Sequence, residues 1–584
     1  MRVCFKFQSN ILNKKYLIVA LFFVLFVFFF TNGSIADLGK VNSIFLSKFP
    51  APKPYALNES SYLFLNRESK FQSLIIKKGY KYNAQNIEID VRKYGAKGDL
   101  SQDDSPFIQK ALDENGSIII QNGNFRIDKE ILLRNHKSIT IRGNGKLYMN
   151  PPKKLNTWWS MFSVGKGVEV LIVENLTFDG SKYGNYKEHF DEVNATFALN
   201  CTQVRNDLNF VTIRNCYFKD IYGSGVNLTG KVKVENNTFE NVSGYKPSKN
   251  FEGNNDYYGD AIYVNNYYKK TEFGGIISGN IIQTSNIGRA GIVLEFGVEN
   301  MSIVNNQISG YEKQIHIEDN KYPKINYVEN NVLIGPIGVL IAHSSVKVAN
   351  NIFQIKEITG QKLYKNISGG ISIISNAKGS QFIKNKIFAV KSVENGQAIN
   401  VQGENNKQLF FYQNTIQGRV IFHTLLENTK FIENNFEGNN SSEREGTVLF
   451  MKLKNVLLSN NLFNNVGLSH LGIFDHVSYE RNRFTTTMGY NQYLTFPNGI
   501  GNNGLHIKGN EFSVSDQGQN FVIFTYNFKK SKIGEISDNI IIGTKNRSFS
   551  ILSFPNDPLH NNFIYTKPNY LMTDGKKNEL RWSN

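Results

Sequence analysis

The chain is poor in cysteine. Across 584 residues it holds Cys4, Cys201 and Cys216. So few thiols cannot staple a chain of this length, which excludes a disulfide scaffold. Cys4 precedes the first apolar run, and Cys201 and Cys216 read as two buried thiols. No Cys-x-x-Cys pair or Cys/His cluster is present, so the signature of a structural zinc site is missing. Blocks of like charge are missing as well. Lys+Arg 66 against Asp+Glu 49 leaves a net +17, and the positive residues are scattered. The balance favours a polyanionic partner, but the scatter argues against nucleic acid, which selects a concentrated basic patch. Beyond about residue 118 the chain also lacks helical periodicity, which excludes helical repeats.

The N-terminus carries Arg2, Lys6, Lys14 and Lys15 and no acid before a wholly apolar run, Tyr16 to Phe30. That run suits a signal-peptide core and is short for a spanning helix, which needs roughly 20 residues. Residues 1–36 are read as a signal peptide or a signal anchor. In both cases the remainder is exported to the periplasm, the cell surface or the medium. Any membrane contact runs through residues 16–30 alone. Residues 37–85 form a linker, stiffened by Pro50, Pro52 and Pro54. Residues 86–555 are expected to form the main domain and 556–584 a C-terminal tail.

Regular structure is expected from "IEIDVRKYGAKGDLSQDDSPFIQKAL": a strand over Ile87–Val91, a Gly-rich loop and a short helix. Asp103, Asp104 and Ser105 supply N-cap chemistry, and Pro106 suits the first turn. Phe107, Ile108, Ala111 and Leu112 give the helix one apolar face. A repeat then takes over. Short alternating strands such as "VTIRNCYF", "KVKVENNTF", "INYVENNVL" and "VLLSNNLF" each lead into Asn and an apolar pair. The repeated asparagines include Asn215, Asn237, Asn280, Asn306, Asn331, Asn351, Asn385, Asn414, Asn435, Asn461, Asn482, Asn510 and Asn539. Spacings of 20 to 43 residues signal a solenoid. Short strands with apolar residues stacked inside predict an all-β parallel β-helix. The asparagines are read as structural: they tolerate left-handed turns, and stacked from coil to coil they form an amide ladder.

The run from Asp90 to Leu112, "DVRKYGAKGD" followed by "DDSPFIQKAL", resembles the opening of the pectate-lyase superfamily, which includes polygalacturonases and phage tailspike depolymerases. The resemblance implies a right-handed parallel β-helix solenoid with an N-terminal capping helix, and it implies activity on polysaccharide. It also allows calcium, although no tight acidic cluster demands it, so no metal ligand and no cofactor is assigned. Polygalacturonases carry catalytic acids on three successive coils, at Asn-Thr-Asp, Asp-Asp and Gly-His-Gly. The corresponding stretches here are "YGSGVNL", "GDAIYV" and "GRAGIVLEF". Only Asp260 matches, at the second aspartate of the pair, with Gly259 in place of the first. Ser224 and Arg289 stand near the other two positions. A standard two-carboxylate hydrolase of that group is therefore not what the resemblance supports.

Strand alternation supplies the rest of the candidate site. With Val226, Ile262, Ile292, Ile315, Val339 and Ile371 inward, the preceding row is nearly all small: Gly225, Ala261, Gly291, Gln314, Gly338 and Gly370. It is expected to face outward as the floor of a groove. The next outward rows bring Tyr263, His316, Glu295 and Glu318 beside Asp260 and Arg289. Lys313 is placed one coil past Arg289. Asp260, Arg289, His316 and Glu295 are the catalytic candidates, and Tyr263, Lys313, Glu318 and Tyr258 the substrate-binding ones. In a lyase or epimerase, Arg289 or Lys313 holds a uronate carboxylate while His316 or Tyr263 moves the proton. In a hydrolase, Asp260 works with Glu295 or Glu318, and Asp220, Glu252 and Asp256 are rival acids. Two function classes follow: an exported enzyme acting on an acidic polysaccharide, or a non-catalytic surface protein that binds glycan or adheres. The sequence leaves the oligomeric state open.

Overall fold

In a computed structural model the chain divides into two units, Met1–Ala84 and Gln85–Asn584. The structure describes residues 88–579 except for segments between strands, of which the longest are 182–195, 243–258, 357–367 and 554–562. The apolar run at 16–30, the linker, and the candidates Tyr258, Glu252 and Asp256 lie outside the described residues. Among the described residues no helix is long and apolar enough to cross a membrane.

Ile89–Asp90 is a short strand, followed by a 3-10 turn over Val91–Tyr94 in place of the longer strand expected. The capping helix spans Ser105–Asn115 and buries Ile108, Ala111 and Leu112, with Phe107 packed on the edge of the core. The two aspartates divide their work differently from the expectation. Asp104 occupies the N-cap position but makes no side-chain cap bond. Its carboxylate instead accepts from the N–H groups of Lys97 and Gly98, tying down the Gly-rich loop. Asp103 accepts from the N–H of Ser105, satisfying a donor at the helix start.

The solenoid follows as three parallel ladders, each strand pairing with its counterpart one coil away. The first ladder contains Gly223–Leu228, Asp260–Asn265, the second half of Ile281–Glu295, the second half of Gln307–Glu318, and Ile337–Ala342. The second runs through Lys231–Glu235, Gly274–Ser278 and Met301–Val304. The third runs through Thr238–Glu240 and the first halves of the two long strands. Parallel crossovers of this kind take the right-handed path almost without exception. Stacking continues past residue 555, to the pairing of Ile540–Ile542 with Tyr570–Met572, and there the last strand turns back antiparallel.

Two side-chain ladders run along the interior. Phe178, Phe218 and Phe239 stack at 4.8 and 4.5 Å, and Phe436, Phe463, Phe484 and Phe512 continue the motif at 4.7 to 4.9 Å. The asparagine ladder runs from Asn237 through Asn280, Asn306, Asn331, Asn351, Asn385, Asn414, Asn434, Asn461, Asn482 and Asn510 to Asn539. From Asn237 to Asn510 each amide donates to the Oδ1 of the next coil and to a backbone carbonyl. Asn306, for example, donates to Asn331 Oδ1 and Ile277 O, both at 3.0 Å. Buried amides therefore cost little, because their donors and acceptors are matched.

Two expected members are corrected. Asn434, not Asn435, stands in the ladder, and Cys216 occupies the rung to which Asn215 was assigned. The residue before each rung takes the left-handed turn, as Asn215, Asn236, Asn305, Asn330 and Asn350 do at φ near +55°. Turn and ladder are thus separate jobs held by neighbouring residues. Cys201 and Cys216 are free buried thiols, as expected.

Candidate active site on three neighbouring coils

The first ladder has the register read from the sequence. Val226, Ile262, Ile292, Ile315, Val339 and Ile371 align, and the following row brings Asn227, Tyr263, Val293, His316, Leu340 and Ser372 together. The row before them does not face outward. Ala261 is fully buried in the core, and Gln314 is fully buried too. A Cβ on Gly225 would meet the Phe239 ring at 3.0 Å, one on Gly338 the Phe353 ring at 2.3 Å, and one on Gly370 the Ile387 side chain at 2.5 Å. Residues of this row are small because rings and branched side chains of the third ladder fill the space beneath them. Two successive residues therefore point inward, and the strand bends. The expected floor of small residues is part of the core.

Asp260 lies at the start of its strand, one residue before that bend, and its side chain is 7 % exposed. On the next coil Arg289 reaches back with Nε 3.0 Å from Asp260 Oδ1 and Nη2 2.6 Å from Oδ2. The same Nη2 is 3.7 Å from Glu295 Oε1. Tyr263 donates its O–H to Glu295 Oε2 at 2.7 Å, and the guanidinium carbon of Arg289 lies 5.9 Å from the centre of the Tyr263 ring. Burial, reinforced by the Glu295 charge, pushes the Tyr263 phenol far above its ordinary value. Tyr263 is therefore a permanent donor that fixes Glu295, which removes it as a base. One coil further, His316 stands between two carboxylates, Nδ1 3.7 Å from Glu295 Oε1 and Nε2 3.2 Å from Glu318 Oε2. The hydrogen bond from His316 holds Glu318 below the usual carboxylate range; the charges of His316, His343 and Arg289 add to this, and burial opposes it.

Six candidates thus form one linked set: Asp260, Arg289, Tyr263, Glu295, His316 and Glu318. Side-chain exposure rises along it from 7 % at Asp260 through 13 % at Glu295 to 35 % at Glu318, so solvent meets the set at Glu318. Lys313 aligns with Ala290, not with Arg289, and its Nζ is 4.0 Å from Glu312. Asp220, one of the rival acids, accepts from Asn241 in a turn. Sequence reasoning missed Glu312, a carboxylate only 3 % exposed beside Lys313, and His343, whose charge reaches Glu318. The acid in "YEKQIHIE" was the available signal for Glu312. Glu295, His316 and Glu318 each offer a donor atom within 4.8 Å of the others. Calcium takes six to eight oxygens, and two carboxylates with an imidazole are a poor match for it.

No family model and no curated protein matches the chain. Solved structures do. The surface adhesin PfbA of Streptococcus pneumoniae aligns at 15 % identity and a TM-score of 0.35 over 74 % of this chain and 93 % of its own. The A-module of the mannuronan C-5 epimerase AlgE6 of Azotobacter vinelandii aligns at 14 % and 0.40, covering 72 % of this chain and 98 % of its own. The tailspike of E. coli bacteriophage HK620, solved with a pentasaccharide, aligns at 13 % and 0.41 over 85 % and 82 %. These are right-handed parallel β-helix proteins, and so is this chain. At such identities and TM-scores the likeness carries no argument about chemistry, which rests on the site.

Proposed function

We propose that the chain is an exported enzyme that hydrolyses glycosidic bonds in an acidic polysaccharide, with Glu295, His316 and Glu318 as its working groups. The observation that supports this most is the pair of carboxylates bridged by one imidazole on two adjacent coils, opening to solvent at Glu318. Carboxyl pairs flanking a scissile bond are the usual equipment for glycoside hydrolysis, and the imidazole, in hydrogen-bond reach of Glu318 at 3.2 Å and 3.7 Å from Glu295, can pass a proton to or from Glu318. In the reaction, water adds to the anomeric carbon, the bond to the leaving oxygen breaks, and the water proton is passed on to that oxygen.

Elimination and epimerisation are less well served. They need a cation at the uronate carboxylate, and Arg289 is clamped by Asp260 through two contacts. Asp260 and Arg289 act instead as positioning residues for Glu295. The net +17 of the chain draws an anionic polymer, and the apolar run at 16–30 supports export to where such polymers occur.

The test is a panel of capsular and exopolysaccharides incubated with the full chain. New reducing ends without unsaturated sugar are expected, with loss of at least a hundredfold in Glu318→Gln. Ultraviolet-absorbing unsaturated ends would replace hydrolysis with elimination. Saturable binding without any product would establish the non-catalytic glycan-binding reading.

A further inference from the structure

The linked set carries an imbalance of charge that its own residues do not resolve. Asp260, Glu295 and Glu318 contribute −3 and Arg289 +1, which leaves −2 with His316 neutral and −1 with it charged, in a cluster whose members are mostly buried. Uncompensated charge out of water is costly and is normally met by a partner or a metal. At the centre of that excess sits His316, 8 % exposed, whose Nδ1 is buried without a hydrogen-bond partner. That nitrogen faces Glu295 Oε1 across 3.7 Å, too far for a hydrogen bond. A buried, unsatisfied nitrogen pointing at a carboxylate within a surplus of negative charge is the arrangement a cation completes.

We propose that Glu295, His316 and Glu318 bind one divalent transition-metal ion of the zinc class. The donor chemistry selects the class: imidazole suits zinc and its neighbours, carboxylates are common co-ligands, and the absence of a six-oxygen cage disfavours calcium. One donor atom from each of the three residues lies within 4.8 Å of the others. Ligand atoms about 2.1 Å from a tetrahedral ion lie roughly 3.4 Å apart, so an ion at Nδ1 draws the Glu318 carboxylate inward, away from its present contact with Nε2. Two further features match metal sites in general. Tyr263 donates to Glu295 and Arg289 lies 3.7 Å from it, an outer shell that orients a ligand. Glu318, the most exposed of the three, provides the way in.

This inference shares its residues with the hydrolytic reading but is tested without any glycan. Full chain stripped with chelator is titrated with zinc sulfate by calorimetry, with calcium chloride in parallel, and bound metal is counted by mass spectrometry. One zinc per chain is expected, with calcium at least tenfold weaker. His316→Gln and Glu318→Gln should each lose that equivalent, and Tyr263→Phe should weaken it by about tenfold. Wild-type chain that takes up no zinc, or variants that bind it as tightly as wild type, would overturn the proposal. If the variants do not fold, cobalt-loaded wild type decides by X-ray absorption. One nitrogen with oxygen ligands supports the site, and sulfur or several imidazoles place the metal elsewhere and overturn it. Failure here leaves glycan hydrolysis by the carboxyl pair and imidazole standing, whereas bound zinc makes Glu295, His316 and Glu318 ligands and takes the place of those acid, base and relay roles; absence of glycan cleavage leaves the metal site standing.

Discussion

Arg289 grips Asp260 with two contacts across adjacent coils, Nη2 to Oδ2 at 2.6 Å and Nε to Oδ1 at 3.0 Å. The aspartate is nearly buried and the arginine a quarter exposed. Removing one partner costs more than removing both, because Asp260 without Arg289 stays buried and unpaired, while Arg289 without Asp260 keeps only its longer contact to Glu295 at 3.7 Å. Asp260→Ala is expected to destabilise this region by about 2–4 kcal/mol, and the double variant Asp260→Ala, Arg289→Met by less than the sum of the two single changes. Hydrogen exchange of residues 259–295 is the appropriate measurement, since a solenoid opens locally. If Asp260 is a positioning residue, glycan cleavage by Asp260→Asn falls partially, with Glu295 loosened. Complete loss of turnover at unchanged local stability would make Asp260 a catalytic acid instead.

The paired asparagines should respond to substitution in opposite ways although they are adjacent. Asn330 takes φ +59° and is a turn residue, whereas Asn331 is a rung whose Oδ1 accepts from both the N–H and the amide of Asn306. Asn330→Gly is expected to be nearly neutral, because glycine adopts the left-handed turn freely. Asn331→Gly leaves the buried N–H of Asn306 unmet, while the Asn306 amide keeps Ile277 O and Val304 O, and the change should cost about 2–4 kcal/mol. Hydrogen exchange over residues 300–355 separates the two. Equal protection in both variants would contradict the division of roles.

Much of this fold was legible because a solenoid repeats its rules. Period-two alternation placed Ile262, Ile292, Ile315 and Val339 in one inward row, and the structure aligns them so. Alternation misled at Ala261 and its counterparts, because a bend lets two consecutive residues point inward. Its cause, the rings of Phe239 and Phe353, sits on a different ladder. The rung asparagines were confused with turn residues because Asn suits both positions. A sharper signal lay in the sequence: each rung stands two residues before an inward apolar residue, as Asn461 before Phe463 and Asn510 before Phe512. That rule selects Asn434, two before Phe436, and Cys216, two before Phe218. In the site, the sequence supplied the row members. It did not supply the clamp of Arg289 on Asp260, which depends on where long side chains turn once both are folded.

Cys216 should be chemically silent at neutral pH. Burial pushes its thiol up from the ordinary value near 9.0 to about 12. The nucleophile is the thiolate, so iodoacetamide should leave Cys216 unmodified in the folded chain at pH 8 and modify it after denaturation. The sign of the linked stability effect follows from the raised value. The neutral thiol is favoured in the folded state, so its contribution is complete below about pH 9. It declines as pH rises toward 12, where the unfolded chain gains by ionising. Peptide mass spectrometry after alkylation at pH 8 and at pH 10.5 checks both statements. Rapid modification of Cys216 at pH 8 in folded protein would refute them.

Phe296 is the least expected residue at the rim of the site. It follows Glu295 and holds φ +60°, in the place that Asp319, His343 and Asn376 occupy on the next three coils. Those three are residue types that tolerate left-handed dihedrals, whereas a bulky aromatic there is an outlier. Phe296 is nonetheless 47 % exposed, so it is not held there to fill the core, and its ring meets the 63 % exposed Tyr267 edge to face at 5.6 Å. Backbone strain and exposed aromatic surface at one position, directly after Glu295 of the proposed site, fit a platform on which a sugar ring stacks. Phe296→Asn is therefore expected to stabilise the coil slightly by relieving the turn while raising KM for polysaccharide about tenfold, a loss of ~1.4 kcal/mol, with kcat little changed. Initial-rate kinetics together with a thermal melt of the same variant test this. A variant that is less stable than wild type with unaltered KM would assign Phe296 to packing.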